Sequence, residues 1–393
     1  MSESKKEVLE SDCEPIEIEK DRLYWVSSAK APKSKSKKGL YFCIDNVLIY
    51  EAFFEDFGPH NLANTHKFAM EVQKILQKQK KKIYHYTTLN PENRANAAYL
   101  MGAFLIICRG MSAEEAWSFF KDVNPPFKPY RDAIAGPCSY ECTILDCLRG
   151  LKYAIDLGWY NPKTFNLKEY EYYEKVENGD LNWIIPGKFV AFSSPSPTGY
   201  DEEGYRTYTP DDYSPIFKKL GVGMVIRLNK PQYDKKLFEK NGIKHHDLYF
   251  LDGSTPSDEI INHFLKLVEN EKSAVAVHCK AGLGRTGTLI ALYAMKHFRF
   301  PARAFIGYIR ICRPGSILGP QQAFLVNEQD KYFKIGDQYR KEKGLTDELC
   351  LKLEKLNIED EKAEYSALDK EIIKKGDIGQ GGKLTKEKRH KQK

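Results

Sequence analysis

An apolar stretch, Ser273–Val277, runs directly into His278-Cys279-Lys280-Ala281-Gly282-Leu283-Gly284-Arg285-Thr286-Gly287, and a long apolar segment follows. Gly282, Gly284 and Gly287 let the backbone turn tightly, so that successive N–H groups face inward. Such a nest at a helix start binds a dianion, phosphate foremost. Arg285 can clasp two phosphate oxygens through its planar fork. The same positive field is expected to favour the thiolate of Cys279. A thiolate beneath a bound phosphate, in line with the leaving oxygen, is arranged for phosphoryl transfer to sulfur and hydrolysis of the phosphocysteine by water. His278 is expected to orient the thiolate region by hydrogen bonding, and Thr286 to donate its hydroxyl to the departing sulfur. Lys280, Ala281, Gly282, Leu283 and Gly284 complete the phosphate-binding loop.

Departure of an alkoxide or phenoxide needs a proton, so a carboxylic acid should overhang the loop. A strand-like stretch ends at Asp252-Gly253. If it lies parallel to the strand before Cys279, its end falls on the same sheet edge. Asp252 is therefore the candidate acid, while Asp258 reads as a first-turn residue and Asp247 as the opening of the strand. Most lone cysteines are structural, but His-Cys-x-x-Gly-x-x-Arg-Thr between an apolar strand and an apolar helix is specific. A module that only binds phosphate through this loop would have lost the cysteine, the arginine or the acid, and all three are present.

The elements that position these residues follow an α/β pattern. Leu220–Arg227, Lys244–Leu251 and Ser273–Val277 read as strands, with Pro256–Glu269 and Arg285–Phe298 as helices. The first half has strands at Leu40–Val47 and Lys82–Thr87, and helices at His66–Gln79, Ala95–Arg109, Ser112–Val123 (with Ser112 as N-cap) and Ser139–Leu157. Strands alternating with helices imply a parallel or mixed sheet covered on both faces. The halves resemble each other: aligning strands sets His85-Tyr86 on His278-Cys279, so the first copy carries tyrosine in place of the nucleophile. Its loop has no glycine, Arg94 comes eight residues on rather than six, and Pro59 stands where the second copy has Asp252. A duplication with one degenerate copy is expected.

A chain of 393 residues implies two domains with tails. The N-terminus is polar and lacks the apolar core of a signal peptide, and the longest apolar candidate, Ala103–Cys108, is far too short to span a membrane. An intracellular protein with no membrane partner is expected. Nine scattered cysteines without a CxxC pair fit a reducing compartment. The spacing of Cys138, Cys142 and Cys147 does not suit a zinc knuckle. The net charge of +7 comes from lysines near both ends, which implies basic tails rather than specific nucleic-acid reading. Between the halves, Glu169, Glu171, Glu174, Glu177 and Asp180 form an acidic stretch in a basic chain; a bridging helix with this face could attract a lysine or arginine of a substrate. A merely solvated acidic face is the other reading.

His278–Gly287, with VHCKAGLGRTGTLIA around it, DLYFLDGSTPSD upstream and RICRPGSILGPQQ downstream, resembles the cell-division-cycle-14 family of cysteine-dependent dual-specificity protein phosphatases. YEYYEKVENGDLNWIIPGKF and VIRLNKPQYD fit it as well. The similarity is densest over 169–325. The resemblance implies two tandem dual-specificity-phosphatase-like α/β domains joined by a linker helix, with only the second catalytic. The corresponding division is an extension at 1–38, a degenerate phosphatase-like domain at 39–165, an acidic linker helix at 166–181, a catalytic domain at 182–338 and a basic, flexible tail at 339–393. By position it makes Cys279 the nucleophile, Arg285 the phosphate clasp and Asp252 the acid. It places Gln321 and Gln322 in the water-positioning loop, leaving open which acts, and Glu171, Glu174 and Asp180 in an acidic groove between the domains.

The activity implied is hydrolysis of phosphoserine, phosphothreonine and phosphotyrosine, favouring phosphoserine-proline with a basic residue downstream, as left by cyclin-dependent kinases. Ala281 and Leu283 could form an apolar shelf for that proline. Partners would be phosphorylated proteins, and the address nucleus or cytoplasm, with nucleolus and spindle pole as family sites. No metal or cofactor is required, since arginine and backbone amides neutralise the phosphate. A tyrosine-selective phosphatase and a phosphoprotein-binding scaffold are the alternatives. A phosphoinositide phosphatase is a third, disfavoured because its loop carries lysine where this chain has Leu283.

Overall fold

The computed structural model describes residues 14–30, 39–134, 138, 140–344, 362–375 and 379–391. Of the extension expected at 1–38, residues 1–13 and 31–38 lie outside them. The chain divides into two compact units, Met1–Ile49 with Asn64–Pro129, and Tyr50–Ala63 with Tyr130–Lys393.

The sheet of the first unit has the order β1 (Ile16–Glu19), β2 (Leu23–Ser27), β4 (Ile83–Thr87), β3 (Leu40–Cys43). β1 is antiparallel to β2, and both β2 and β3 run parallel to β4. Residues 16–27, which the sequence reading leaves in an extension, thus supply half of this sheet. Their strand character is visible in Ile16-Glu17-Ile18-Glu19, where Ile18 is buried and Glu17 exposed, and Asp21 turns the chain with a φ of 57°. Trp25 is fully buried, edge-on to Phe120 and Phe127 at 5.7 and 5.9 Å. The helix Pro91–Arg109 starts earlier than expected because Asn90 caps it, accepting from Glu92 N and Asn93 N, with proline in the first turn.

In the second unit five strands take the order β5 (Leu181–Ile185), β6 (Phe189–Phe192), β9 (Ala274–His278), β7 (Val222–Arg227), β8 (Lys244–Asp247). β5 and β6 form an antiparallel hairpin, while β6 and β7 both run parallel to β9. The first unit repeats this plan: antiparallel hairpin, then a central strand between two parallel neighbours. β4 and β9 are the equivalent central strands, both buried throughout. β8 ends at Asp247, short of the expected Leu251, where the chain continues on single bonds from Leu248 N to Arg227 O (2.9 Å) and Phe250 N to Leu228 O (3.4 Å).

The helix Ile144–Asp156, grouped by sequence with the first half, lies in the second unit and crosses the helix Ala302–Cys312. Glycines permit the contact: a Cβ on Gly150 would fall 2.2 Å from Ala304 O, and one on Gly307 2.7 Å from Cys147 Cα. The acidic linker is helical only over Leu167–Tyr173, with a short 3-10 turn at Val176–Asn178. Gly179 and Asp180 then take φ of 113° and 47°, which ends the helix before β5. The basic tail, expected to be flexible, carries the helices Ala367–Lys375 and Gln380–Lys391.

Candidate active site

Cys279 follows β9 and is 3% exposed. The loop after it turns at Gly282, whose φ is 69° and where a Cβ would fall 2.0 Å from Phe192 O. The helix Gly284–Phe298 begins immediately, without a side-chain cap, so the N–H groups of its first turn remain for a ligand. From behind, the fully buried Arg313 donates through Nε to Gly282 O (2.8 Å) and through Nη2 to Ala281 O (3.0 Å). Its Nη1 reaches Asp180 O (3.0 Å) and Asn182 Oδ1 (2.8 Å). Drawing two loop carbonyls backward fixes the opposite face of those peptides toward the pocket.

Arg285 is buried and donates through Nη1 to Phe250 O (2.9 Å) and Leu228 O (3.2 Å). Its Nη2 pairs with Asp252 Oδ1 at 3.1 Å, which brings the expected clasp and the expected acid together over the loop, and its Nε has no partner. The Thr286 hydroxyl is also buried without a partner.

His278 is fully buried, with Nδ1 against Cys279 O (2.9 Å) and Nε2 against the Tyr233 hydroxyl (2.7 Å). Burial lowers its pKa well below the ordinary imidazole value, so the ring is neutral. The assignment that satisfies the chain has Nδ1–H donating to the carbonyl, Tyr233 donating to Nε2, and His245 Nε2–H donating to Tyr233 at 2.8 Å. The glutamines separate. Gln321 Nε2 donates to Ser254 O beside Asp252 (3.0 Å), and its Oε1 accepts from Leu318 N (3.1 Å). Gln322 is committed to a buried network with Arg310 and Asp132.

In the acidic stretch, Asp180 is buried against Arg313 Nη1 (2.9 Å) and also pairs with Lys388. Glu174 accepts from Asn61 Nδ2 at 3.0 Å. Burial raises the Glu174 pKa, opposed chiefly by the Lys388 charge, and the neighbouring Glu171 raises it further. Lys388 thus pairs directly with Asp180, while Glu174 feels its charge without an ion pair to it among the described contacts. Ala281 and Leu283 join Phe53, Ala133 and Leu318 in an apolar cluster beside the loop, completed by Leu384. The Cys142 and Cys147 thiols lie 3.9 Å apart in the core, and no group of three or more His, Cys, Asp or Glu able to hold a metal occurs among the described residues.

A family model described as "Dual specificity protein phosphatase, N-terminal half" matches residues 17–154. A second, "Swiss Army Knife protein, DSP-PTPase phosphatase domain", matches 178–318. The human dual specificity protein phosphatase CDC14C is 48% identical over 323 residues, which cover 81% of this chain and 72% of that protein. The chain belongs to the CDC14 family. Human CDC14A is 50% identical over 328 residues, 82% of this chain and 55% of that protein, and the tyrosine-protein phosphatase cdc-14 of Caenorhabditis elegans is 43% identical over 75% of this chain and 43% of its own length. The chain thus spans about half the length of these two relatives.

His278, Cys279, Arg285, Asp252 and Gln321 lie together in the second unit, and Gln322 lies in the same unit but in a separate buried network. Arg313, Tyr233 and His245 were not singled out from sequence. Arg313 stands inside the quoted RICRPGSILGPQQ, where an arginine beside proline and glycine in an apolar helix end was the available signal. Tyr233 stands inside the quoted VIRLNKPQYD, but nothing in the sequence marks it or His245 as a partner of His278: the loop after β7 brings in the one and β8 the other.

Proposed function

We propose that this CDC14-family chain hydrolyses phosphoproteins through a phosphocysteine intermediate, acting on phosphoserine, phosphothreonine and phosphotyrosine, and favouring phosphoserine-proline sites with a basic residue downstream. The observation that carries the reading is the Asp252–Arg285 pair, 3.1 Å apart over the Cys279 loop. When phosphate enters, the Arg285 fork turns from Asp252 to two phosphate oxygens. Cys279 Sγ attacks phosphorus, the bond to the leaving oxygen breaks, and protonated Asp252 gives that oxygen its proton. Water, oriented by Gln321, then attacks the phosphorus. Asp252 takes the water's proton, the S–P bond breaks with the Thr286 hydroxyl donating to sulfur, and inorganic phosphate leaves.

The basic-residue preference is supported by Asp180, which pairs with a lysine in this structure, with Glu174 near enough for its charge to act on that lysine, and the proline preference by the apolar cluster at Ala281 and Leu283. The names of its relatives, dual specificity protein phosphatase in human and tyrosine-protein phosphatase in Caenorhabditis elegans, support the range of phosphoamino acids. Reversal of proline-directed kinase sites in cell division, with a nuclear or cytoplasmic address, and a division of labour in which the first domain is non-catalytic belong to the same proposal. The test is turnover of matched phosphopeptides, Ser-Pro against Tyr, each with lysine or alanine three residues after the phosphate. Fast cleavage of the Ser-Pro-x-Lys peptide, lost in Cys279→Ser and blunted in Glu171→Ala/Glu174→Ala, is expected. Preference for phosphotyrosine irrespective of lysine would leave the chemistry and remove the proline-directed reading.

A further inference from the structure

The helix Gln380–Lys391 lies in the same compact unit as the catalytic loop and seats on its mouth. Gln380 Nε2 donates to Ala133 O (2.7 Å), and Gly381 N donates to Asp252 Oδ2 (2.6 Å). A Cβ at 381 would fall 2.7 Å from the Lys280 Cβ, so the close approach requires glycine. One turn on, Leu384 fills the apolar cluster with Ala281 and Leu283. A further turn on, Lys388 takes Asp180. Positions 380, 381, 384 and 388 make one helical face. That face covers the shelf expected for a substrate proline and the acids expected for its basic residue.

Arg389 marks a third point. Its Nη1 pairs with Asp201 Oδ2 at 2.8 Å, and Asp201 belongs to no part of the groove described so far. The Asp201 carboxylate is already oriented: Oδ1 accepts from Tyr205 N (2.8 Å) and Glu203 N (3.1 Å), leaving Oδ2 for the cation. The loop is tied by Asp201 N to Tyr205 O (3.0 Å) and Thr207 N to Gly199 O (2.9 Å). Between this loop and the catalytic loop lies a cavity of about 660 Å³, lined by Ser196, Tyr200, Asp201, Gln232, Lys280 and Arg389 among others. Lys280 Nζ donates to Gln232 Oε1 at 2.5 Å across its wall, so the cavity is continuous with the phosphate-binding loop.

We propose that Asp201 is a specificity residue of the catalytic groove: it takes a second basic side chain of a phosphoprotein substrate, beyond the one expected at Glu174 and Asp180, and Arg389 of the chain's own tail holds that place until substrate displaces it. An exposed ion pair alone contributes little. Here one carboxylate oxygen is fixed by two backbone N–H groups, and the cation arrives on a helix that also covers Asp252, so its release couples to substrate entry. The inference rests on the proposed activity, since it deepens the specificity of that site.

The experiment uses the whole 393-residue chain in four forms: the natural sequence, Leu384→Ser/Lys388→Ala/Arg389→Ala to release the tail, the same with Asp201→Asn, and the same with Asp201→Glu. KM and kcat are measured for 4-nitrophenyl phosphate, a phosphoSer-Pro-x-Lys peptide, and a set of that peptide bearing one added arginine at successive later positions. Releasing the tail is expected to lower KM for all peptides roughly threefold to tenfold. Asp201→Asn in the released form is expected to raise KM by a similar factor only for peptides with the added arginine at one position, and Asp201→Glu to restore it. An equal effect on peptides with and without that arginine, or none, overturns the role of Asp201. Unchanged KM on releasing the tail overturns the occupancy by Arg389. Anisotropy with Cys279→Ser forms of the same proteins measures peptide binding without turnover. If 4-nitrophenyl phosphate is not hydrolysed by the natural sequence, the proposed activity fails while the binding series still decides for or against Asp201. Thermal unfolding of each form separates a folding defect from a lost contact.

Discussion

A guanidinium that leaves water entirely must find acceptors for its N–H groups, and Arg313 finds them on both sides of the sheet edge: two loop carbonyls, the Asp180 carbonyl and carboxylate, and the Asn182 amide. Lysine in its place keeps the charge and loses the planar fork. Arg313→Lys should therefore let the loop drift, and misplacement on the ångström scale costs on the order of 10²-fold in rate. Steady-state kinetics on 4-nitrophenyl phosphate should show the loss mainly in kcat, because no group that touches substrate is removed. The His245–Tyr233–His278 chain makes a second, independent claim. Tyr233→Phe leaves the buried His278 Nε2 without its donor, which should cost about 1–3 kcal/mol. Urea unfolding measures that cost directly. A fall in kcat alongside it would show that fixing His278 matters to the loop as well as to the fold.

At the scale of elements, the crossing of Ile144–Asp156 and Ala302–Cys312 is set by two glycines that each face the other helix's backbone. Gly150→Ala would place a methyl 2.2 Å from Ala304 O, and overpacking of this kind costs about 1–3 kcal/mol. The expected outcome is a lower unfolding midpoint with kcat per folded molecule unchanged; a kcat loss without a midpoint shift would contradict it. The same scale explains what could be read in advance. Cys279 and Arg285 were legible because one follows a strand end and the other opens a helix, where chain order and geometry coincide; Asp252 was reached through a strand expected to run to Leu251, and it sits in a turn past the observed strand end at Asp247. Asn90 and the Ile16–Glu19 alternation carried readable signals of cap and strand, masked by charged neighbours. The tail misled through composition: its many lysines suggest solvation, while the inward face, with Gln380, Gly381 and Leu384 buried and Lys388 half-buried, is a spacing of turns, not of residue types. Tyr233 and His245 were out of reach, since only the pairing of β7 with β8 and β9 makes them neighbours of His278.

Across the whole molecule the repeated sheet plan carries a shared sensitivity to acid. His85 in the middle of β4 and His278 at the end of β9 each lie on the central strand of their unit, and both are fully buried. Burial pushes His85 down to about 3 and, with Arg227 nearby, His245 down to about 4. The folded pKa lies below the unfolded value near 6.5, so between the two the unfolded chain binds more protons. The stability these neutral rings contribute is complete above about pH 6.5 and falls as the pH drops toward 4. For His85 the loss from pH 6.5 to 5 should be about 2 kcal/mol. Glu271, held down to about 2 with Lys244 and Ser273 as its partners against the cost of burial, loses its contribution only at lower pH. Neither ring nitrogen of His85 has a partner, and its face stacks on Phe42 with centroids 4.9 Å apart. His85→Phe should therefore fill the same space, remove two unsatisfied polar atoms and leave the Cys279 site untouched. Thermal unfolding at pH 7.5 and pH 5.0 decides the matter: the substitution should raise the midpoint of the first unit at both, and by several degrees more at pH 5.0. An equal gain at the two pH values would mean that the imidazole does not titrate on unfolding, and that the acid sensitivity resides in the second unit alone.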